Sequence, residues 1–312
     1  MNNPCIKNMT AIKNNSAGIA GQFTGIIEKF IRLTCTRLPD DVYERLLYMR
    51  KREDSDMQKI IYDSYFENER LARELGCPIC QDTGLLHFYL KAGSSFPYLD
   101  ICARVLNEAV RGATFSIPLR PNAVNYFDEK NTLDNTAEHI PWLHWEIVPE
   151  SDELEITLYF SGAGCSLPGK AQNFKPSQGY QAIVPFVFDV VSGLGINACP
   201  PLIVGIGLGH NIENAALLSK KACLRLIGTS HHHPAGAELE RRILEGLNSL
   251  GIGAQGLPGK QIAMAVHVET SGRHIATISC AVNVSCYVHR RGIIRIKPDL
   301  SFELPVHKGI KL

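Results

Sequence analysis

The stretch that decides the fold is residues 200–226, "PPLIVGIGLGHNIENAALLSKKACLRL". An apolar run suited to a buried strand passes through a glycine-rich segment into a helical pattern. Within it, "GIGLGHN" (205–211) has the spacing G-x-G-x-G. A dinucleotide-binding loop has G-x-G-x-x-G and an acid about 20 residues later, and both are missing. We therefore expect a strand–turn–helix unit in which the glycines form a tight turn.

Helical and strand patterns alternate on both sides of this unit. Helices are expected at 39–53, 55–75, 98–113, 180–194 and 237–250, strands at 85–93, 261–270 and 274–289, and a hairpin over 144–160. In 55–75, the residues at helical spacing are Met57, Ile60, Ile61, Tyr65, Leu71, Ala72 and Leu75. These patterns predict the mixed α/β (α+β) class, in which a helical N-terminal segment of about 75 residues precedes mixed sheets flanked by helices. We expect one domain over 1–312, with residues 1–18 flexible.

The composition excludes several classes of function. The chain has 312 residues, 20% of them charged, and a formal charge of +1. A chain so close to neutral has no basic field to hold nucleic acid or an anionic membrane. The longest apolar run (182–198) is short and interrupted, and no secretory signal is visible, so we expect a cytoplasmic protein without disulfides.

Two short motifs suggest metal sites, but each has a simpler interpretation. Cys77-Pro-Ile-Cys80 is a CxxC pair, but it has no second pair at zinc spacing and follows a helix instead of a strand. The tract "SHHHP" (230–234) cannot direct three adjacent histidines at one ion from a regular element, which favours a solvated loop.

Three of the ten cysteines stand apart because of their neighbours. Cys80 precedes "QDTG", Cys199 precedes two prolines, and Cys286 lies in "SCYVHRRG". Three thiolates that are far apart in the sequence and lie on short turns could converge on an iron–sulfur cluster. Three ligands leave one iron open to substrate, where it could act as a Lewis acid.

Seven short motifs that follow one another along the chain indicate a protein family. They are "CQDTG" (80–84), "PLRPNAV" (118–124), "GAGCSLPG" (162–169), "INACPP" (196–201), "AGAELE" (235–240), "SGRH" (271–274) and "CYVHRRG" (286–292). Together they resemble the iron–sulfur hydro-lyases of the class I fumarase and L(+)-tartrate dehydratase group. The resemblance runs from about Pro39 to the end. With "PDDVYERL" (39–46), it favours the alpha-subunit type of L(+)-tartrate dehydratase.

The resemblance implies a site. It implies a [4Fe–4S] cluster held by Cys80, Cys199 and Cys286. Gln81 and Arg120 would bind substrate carboxylate, a task for which a guanidinium fork is suited. Asp82 and His274 would be catalytic, through proton transfer. The backbone at Gly162 and Gly164 would approach a carboxylate closely.

Simpler roles stay open for each of these residues. Gln81 and Asp82 can cap a turn, Arg120 can form a surface ion pair, and His274 can be a core histidine. Three cysteines lie outside the expected ligand set. Cys77 is a neighbour of the first ligand, and Cys165 lies in the glycine loop without a ligand role. Cys280 is the first alternative to Cys286 as a ligand, because it is close to it in the sequence.

The resemblance also implies a partner and a reaction. Class I fumarases carry a further C-terminal domain, whereas this chain stops at Leu312. We therefore expect an alpha subunit in a hetero-oligomer (α2β2), whose beta subunit completes the site. The expected reaction is dehydration of a 2-hydroxy dicarboxylate, with L(+)-tartrate giving oxaloacetate. A fumarase or mesaconase alpha subunit is the alternative. A non-catalytic iron–sulfur or zinc protein is the remote one.

Overall fold

The computed structural model describes the backbone of residues 4–312 and the side chains of residues 18–312. The helices are α1 (Pro4–Thr36), α2 (Asp40–Arg52), α3 (Asp56–Leu75), α4 (Leu99–Ser116), α5 (Ala163–Ser166), α6 (Ile183–Ser192), α7 (Ile212–Cys223) and α8 (Pro234–Asn248). The strands are β1 (Leu85–Gly93), β2 (Trp142–Val148), β3 (Leu154–Ser161), β4 (Lys170–Phe174), β5 (Leu202–Gly209), β6 (Ala263–Thr270), β7 (Ile278–Ser285), β8 (Arg291–Ile296) and β9 (Phe302–Glu303). The predicted fold class is confirmed: helices open the chain, and mixed sheets with helices follow.

The chain divides into two compact units, each built from separate stretches of sequence. The first comprises residues up to Arg37, Ala72–Phe160 and Arg290–Leu312, and the second comprises Leu38–Leu71 and Ser161–His289. The single-domain expectation stays a prediction. The expected flexibility of residues 1–18 falls almost wholly outside the residues whose side chains are described.

The first unit contains a five-stranded sheet in the order β2-β1-β3-β8-β9. Its core joins apolar side chains of α1 and α4 to those of β1, β3 and β8, among them Phe23, Phe30, Phe88, Val105 and Ile156. Strands β2 and β3 are present as expected, but the predicted hairpin is wrong. Strand β2 pairs in parallel with β1, which lies between β2 and β3. The polar segment after β2 instead folds over the end of β1, where Gly93 N–H donates to Glu153 O at 2.8 Å.

The second unit contains a four-stranded sheet in the order β4-β7-β5-β6. Its core is formed by α6, α8 and the sheet, with Val187, Val204, Ile206, Leu247 and Val266 among its members. Strands β5 and β7 are antiparallel, and Ile203 lies opposite Ser285. The start of β5 and the end of β7 are therefore at the same edge of the sheet, and so are the cysteines just outside them, Cys199 and Cys286.

The glycines of "GIGLG" lie within β5, so the predicted turn role is wrong for them. Successive side chains of a strand alternate between its faces. Val204 and Ile206 enter the core, while Gly205 and Gly207 meet α7 on the other face. A Cβ at Gly205 would stand 2.7 Å from the backbone nitrogen of Cys223. Glycine is thus required because a helix backbone packs directly on the strand, and the turn itself belongs to Asn211, whose side chain accepts from Asn214 N–H at 2.8 Å.

Helix α3 has the predicted limits but only part of the predicted buried face, since Tyr65 and Ala72 are buried. Met57, Ile60 and Leu75 are exposed, whereas Gln58 and Tyr62 are buried. Hydrophobic periodicity misses part of this face because polar groups hold it in place by hydrogen bonds, as described below.

One 18-residue window, Tyr180–Asn197, is apolar enough by length and composition to cross a membrane. The structure divides this window among 3-10 turns at Tyr180–Ala182 and Gly195–Asn197 and the ten-residue helix α6. Ile183 and Val190 of α6 lie in the core of the second unit. The apolar character of the window therefore serves packing inside that unit.

The contact between β5 and α7 can be tested by Gly205→Ala. The added methyl group must displace the backbone of α7, and overpacking of this kind costs about 1–3 kcal/mol. We expect a lower apparent melting temperature. The matched control is Gly21→Ala in α1, where a Cβ meets no atom within 4 Å. That control should be neutral or slightly stabilising, because alanine favours helix over glycine. Equal melting temperatures for the two variants would contradict the close-packing account.

Candidate functional site

In the first unit, the segment "CQDTG" forms a turn between α3 and β1. Asp82 Oδ1 accepts from Gly84 N–H at 3.0 Å, the arrangement in which an aspartate side chain closes a turn. The simple turn role of Asp82 is therefore present. Cys80 is half-buried, and Gln81 is exposed. The turn holds the backbone on either side of these two side chains while leaving both accessible.

This turn is bound to the segment that carries Arg120. Thr83 Oγ1 donates to Arg120 O at 3.2 Å, and Asn122 Nδ2 donates to Gly84 O at 3.1 Å and approaches Asp82 Oδ1 at 3.4 Å. The buried side chain of Asn135 supports the segment by donating to Arg120 O at 3.1 Å. The guanidinium of Arg120 is exposed and forms no ion pair with any described residue. The surface ion-pair alternative is therefore unsupported, and Arg120 is available for an anion.

In the second unit, Cys199 and Cys286 lie on adjoining segments. Cys199 precedes β5 and Cys286 follows β7, and Tyr287 N–H donates to Cys199 O at 3.2 Å. Cys199 is exposed and Cys286 half-buried. The backbone of Cys199 has φ +54°, in the left-handed region that non-glycine residues seldom adopt. Such conformations persist where the surroundings enforce them, and they concentrate at functional sites.

The glycine loop lies next to the segment before Cys199. The structure places a short helix, α5, where we expected an irregular loop, and Ser166 Oγ donates to Gly162 O at 3.0 Å. A Cβ at Gly164 would stand 3.8 Å from Asn197 O. Gly164 therefore contacts the Cys199 segment, while Gly162 keeps an ordinary negative φ that requires no glycine.

His274 lies in an exposed loop, so the core-histidine alternative is wrong. Its neighbour Arg273 binds the loop together: Nη1 donates to His274 O at 3.0 Å and Thr277 O at 3.2 Å, and Nε donates to the Tyr180 hydroxyl at 3.1 Å. Ala276 N–H donates to His274 Nδ1 at 3.2 Å. A neutral ring that accepts at Nδ1 carries its proton at Nε2. The Nε2–H group of His274 can therefore donate a hydrogen bond.

Burial separates most of the other described cysteines from the three candidate ligands. Cys280 belongs to the core of the second unit, where burial raises the pKa of its thiol to about 12. Cys165 is buried too, and burial raises the pKa of the Cys223 thiol to about 11. A thiolate ligand needs the opposite environment. The structure thus disfavours Cys280 as a rival of Cys286, and Cys77 is exposed beside the first-unit turn.

The histidine tract has a structural role. His231 is buried, and its backbone N–H donates to Glu240 Oε2 at 2.8 Å. The ring nitrogen Nδ1 of His233 accepts from the backbone N–H of Ala235 at the start of α8. The expected solvated loop is therefore correct for the exposed His232 and wrong for His231. These contacts hold the N-terminus of α8 on the second unit.

Within either unit, no three cysteine, histidine or carboxylate side chains of the described residues form a group that could hold a metal ion. Cys80 belongs to the first unit, and Cys199 and Cys286 belong to the second. The ligand set therefore rests on the family resemblance, and the structure contributes the adjoining positions of the second-unit pair.

Sequence reasoning missed three supporting residues: Asn122, Arg273 and Tyr65. The first two stand inside quoted motifs, "PLRPNAV" and "SGRH", and their side-chain types suggested hydrogen bonding. No local signal identified their partners, which lie tens of residues away. Tyr65 was counted as a core residue because its helical spacing fits one.

Comparisons with a family model and with individual proteins indicate the same family. Residues 24–295 match the family model described as "Fumerase: Fumarate hydratase (Fumerase)". The L(+)-tartrate dehydratase subunit alpha of Escherichia coli strain UTI89 is 47% identical over 291 residues, 93% of this chain and 96% of that protein. The subunit of strain K12 is 46% identical over the same share. A protein of Methanocaldococcus jannaschii, provisionally named as the same subunit, is 36% identical over 89% of this chain and 99% of its own length.

Thiol reactivity can test the environments of the cysteines. In the cluster-free full chain at pH 8, we expect iodoacetamide to label Cys77 and Cys199 first, because both are exposed. Cys223 and Cys280 should react at least about a hundredfold more slowly, because a raised pKa keeps the thiol protonated at this pH. Peptide mass spectrometry gives the rate at each site. Labelling of Cys280 as fast as that of Cys199 would contradict its placement in the core.

Proposed function

Because the chain belongs to the fumarate hydratase (Fumerase) family of hydro-lyases, we propose that it is the alpha subunit of an L(+)-tartrate dehydratase. The observation that carries the proposal is similarity to such subunits over nearly the whole of both chains. The name "subunit alpha" of these relatives implies a beta partner. We propose an α2β2 assembly in the cytoplasm, in which the beta subunit supplies the base that removes the carbon-bound proton.

We propose that Cys80, Cys199 and Cys286 hold a [4Fe–4S] cluster. The fit rests on the donor set: these thiols are exposed or half-buried, and those of Cys165, Cys223 and Cys280 are buried. Two of the three proposed ligands, Cys199 and Cys286, lie on adjoining segments. The backbone of Cys199 has a positive φ, a conformation that concentrates at functional sites. When bound, a cluster with three protein ligands supplies Lewis-acid assistance to the departure of hydroxide.

The chain's own residues have defined tasks in this proposal. The Arg120 guanidinium and the Gln81 amide bind a substrate carboxylate and fix its orientation. Asp82 and His274 deliver the proton that leaves with hydroxide as water, and the Nε2–H of His274 binds the departing oxygen by a hydrogen bond. Loss of hydroxide from one carbon and a proton from the next breaks both bonds and releases water. For L(+)-tartrate, the enol product becomes oxaloacetate by tautomerisation.

A second candidate is favoured by the family model, which is named for fumarate hydratase. A fumarase or mesaconase alpha subunit would use the same carboxylate-binding residues on malate or on the methyl-substituted diacid. Only the fit around the substrate carbons would differ.

The cluster proposal is tested by Cys80→Ser, Cys199→Ser and Cys286→Ser in anaerobically purified protein. We expect the iron and acid-labile sulfide of each variant to fall to background, because each removes one thiolate ligand. We also expect wild-type protein to give the EPR signal of a three-iron cluster after mild oxidation. Cys77→Ser and Cys280→Ala are the matched controls and should keep iron and sulfide. Loss of the cluster in Cys77→Ser, with Cys199→Ser unaffected, would overturn the ligand assignment.

The reaction is tested in the complex with the beta subunit. We expect L(+)-tartrate to give oxaloacetate faster than malate gives fumarate, and His274→Gln to lower kcat by about 100-fold or more, as loss of a general acid does. A preference for malate or mesaconate would transfer the assignment to the second candidate. A full rate from the alpha chain alone would contradict the partner's role.

A further inference from the structure

Helix α3 buries a polar face against the segment 253–257 and against the residues that follow the two second-unit cysteines. Gln58 is fully buried, and its side-chain amide bonds both backbone groups of one residue: Ala254 N–H donates to Oε1 at 2.8 Å, and Nε2 donates to Ala254 O at 3.3 Å. This pair of bonds fixes the segment 253–257 on the helix. A buried amide with complete pairing specifies one position of the segment.

Tyr65, two turns further along α3, contacts both cysteine segments. Its hydroxyl donates to Pro200 O at 3.1 Å and accepts from Gln255 Nε2 at 2.8 Å. Its ring stacks on Tyr287 with centroids 3.6 Å apart and planes 11° from parallel. Pro200 directly follows Cys199, and Tyr287 directly follows Cys286. One buried side chain thus touches the residue after each of the two cysteines.

Hydrogen bonds from neighbouring residues hold the backbone at Cys199 and Pro200. Gln255 N–H also donates to Pro200 O, at 3.0 Å, and Tyr287 N–H donates to Cys199 O at 3.2 Å. Together with the Tyr65 hydroxyl, these bonds hold the backbone at Cys199 and Pro200, where Cys199 has a φ of +54° that non-glycine residues seldom adopt. Burial raises the pKa of Tyr65, so its hydroxyl stays protonated and remains a donor.

We propose that Tyr65 is a positioning residue that fixes Cys199 and Cys286 relative to one another for cluster binding. The hydroxyl fixes the Cys199 segment through Pro200, and the ring fixes the Cys286 segment through Tyr287. The inference rests on the proposed function, because it assigns the two thiols to one cluster. It adds a residue of α3 that lies outside the quoted motifs.

Two variants separate the hydroxyl from the ring. Tyr65→Phe keeps the stacking and removes the bond to Pro200, and Tyr65→Leu removes both. The matched control is Tyr62→Phe, which removes a hydroxyl from the same buried face of the same helix. No hydrogen bond joins the Tyr62 hydroxyl to either cysteine segment in the described part of the chain, and its ring meets Tyr65 edge to face.

The first readout is thiol labelling of the cluster-free full chain. A half-buried thiol is labelled through local opening of its segment, whose population rises as supporting interactions are lost. We expect the labelling rate of Cys286 to stay close to that of wild type in Tyr65→Phe, which keeps the ring stacking on Tyr287. It should rise about fivefold in Tyr65→Leu, which loses this stacking. The buried Cys223 and Cys280 report on unfolding of the unit as a whole, and their rates should stay constant.

The second readout is the cluster itself in the anaerobic complex with the beta subunit. We expect iron and sulfide in the order wild type, Tyr65→Phe, Tyr65→Leu, with faster loss of cluster on exposure to air and an altered EPR line shape. Tyr62→Phe should match wild type in every measurement.

The outcomes distinguish this inference from the function on which it rests. Wild-type protein without iron and sulfide overturns the cluster proposal, and Tyr65 then has no cluster to position. A cluster in wild type and an unchanged Cys286 rate and cluster lifetime in both Tyr65 variants overturn the inference alone. Parallel acceleration of Cys286, Cys223 and Cys280 also overturns it, because Tyr65 would then only stabilise the unit.

Discussion

The antiparallel register of β5 and β7 is the constraint on which the second unit depends. Because Ile203 lies opposite Ser285, the residues before one strand and after the other meet at one edge of the sheet. Cys199 and Cys286 are 87 positions apart in the sequence, yet they occupy adjoining segments joined by the bond from Tyr287 N–H to Cys199 O. On the face of β5 that is turned towards α7, Gly205 and Gly207 have no side chains, so the helix packs directly on the strand. This packing stabilises the position of β5 beside β7.

The segments around the candidate residues share one construction. Each keeps its candidate side chain at least partly exposed and fixes that side chain or its backbone by hydrogen bonds to neighbouring residues. Asp82 is fixed through Gly84 and Asn122, and His274 through Ala276 and Arg273. Cys199 is fixed through Pro200 and Tyr287. A rigid backbone with accessible side chains is what a binding site for a small charged substrate requires, because the orientation is set before the substrate arrives.

The errors of the sequence analysis have physical reasons. The hairpin over 144–160 was inferred from two alternating segments around a polar turn, a pattern that cannot reveal β1 lying between them. Hydrophobic periodicity gives only part of the buried face of α3, because Gln58 is buried through hydrogen bonds to a distant backbone segment, which periodicity does not detect. The glycines of β5 were assigned to a turn because close approach of a helix backbone and a tight turn both call for glycine.

The sequence by itself determined the fold class, the limits of most helices and strands, and the family, because hydrophobic periodicity and ordered motifs are local or linear properties. It also singled out Cys80, Cys199 and Cys286 among the ten cysteines, through the residues beside them. Only the tertiary structure decided which cysteines are buried, which segments adjoin and which side chain contacts two segments at once. Those properties arise from strand register and from hydrogen bonds between residues far apart in the chain. Tyr65 is the clearest case, since its partners at Pro200 and Tyr287 lie 135 and 222 positions away.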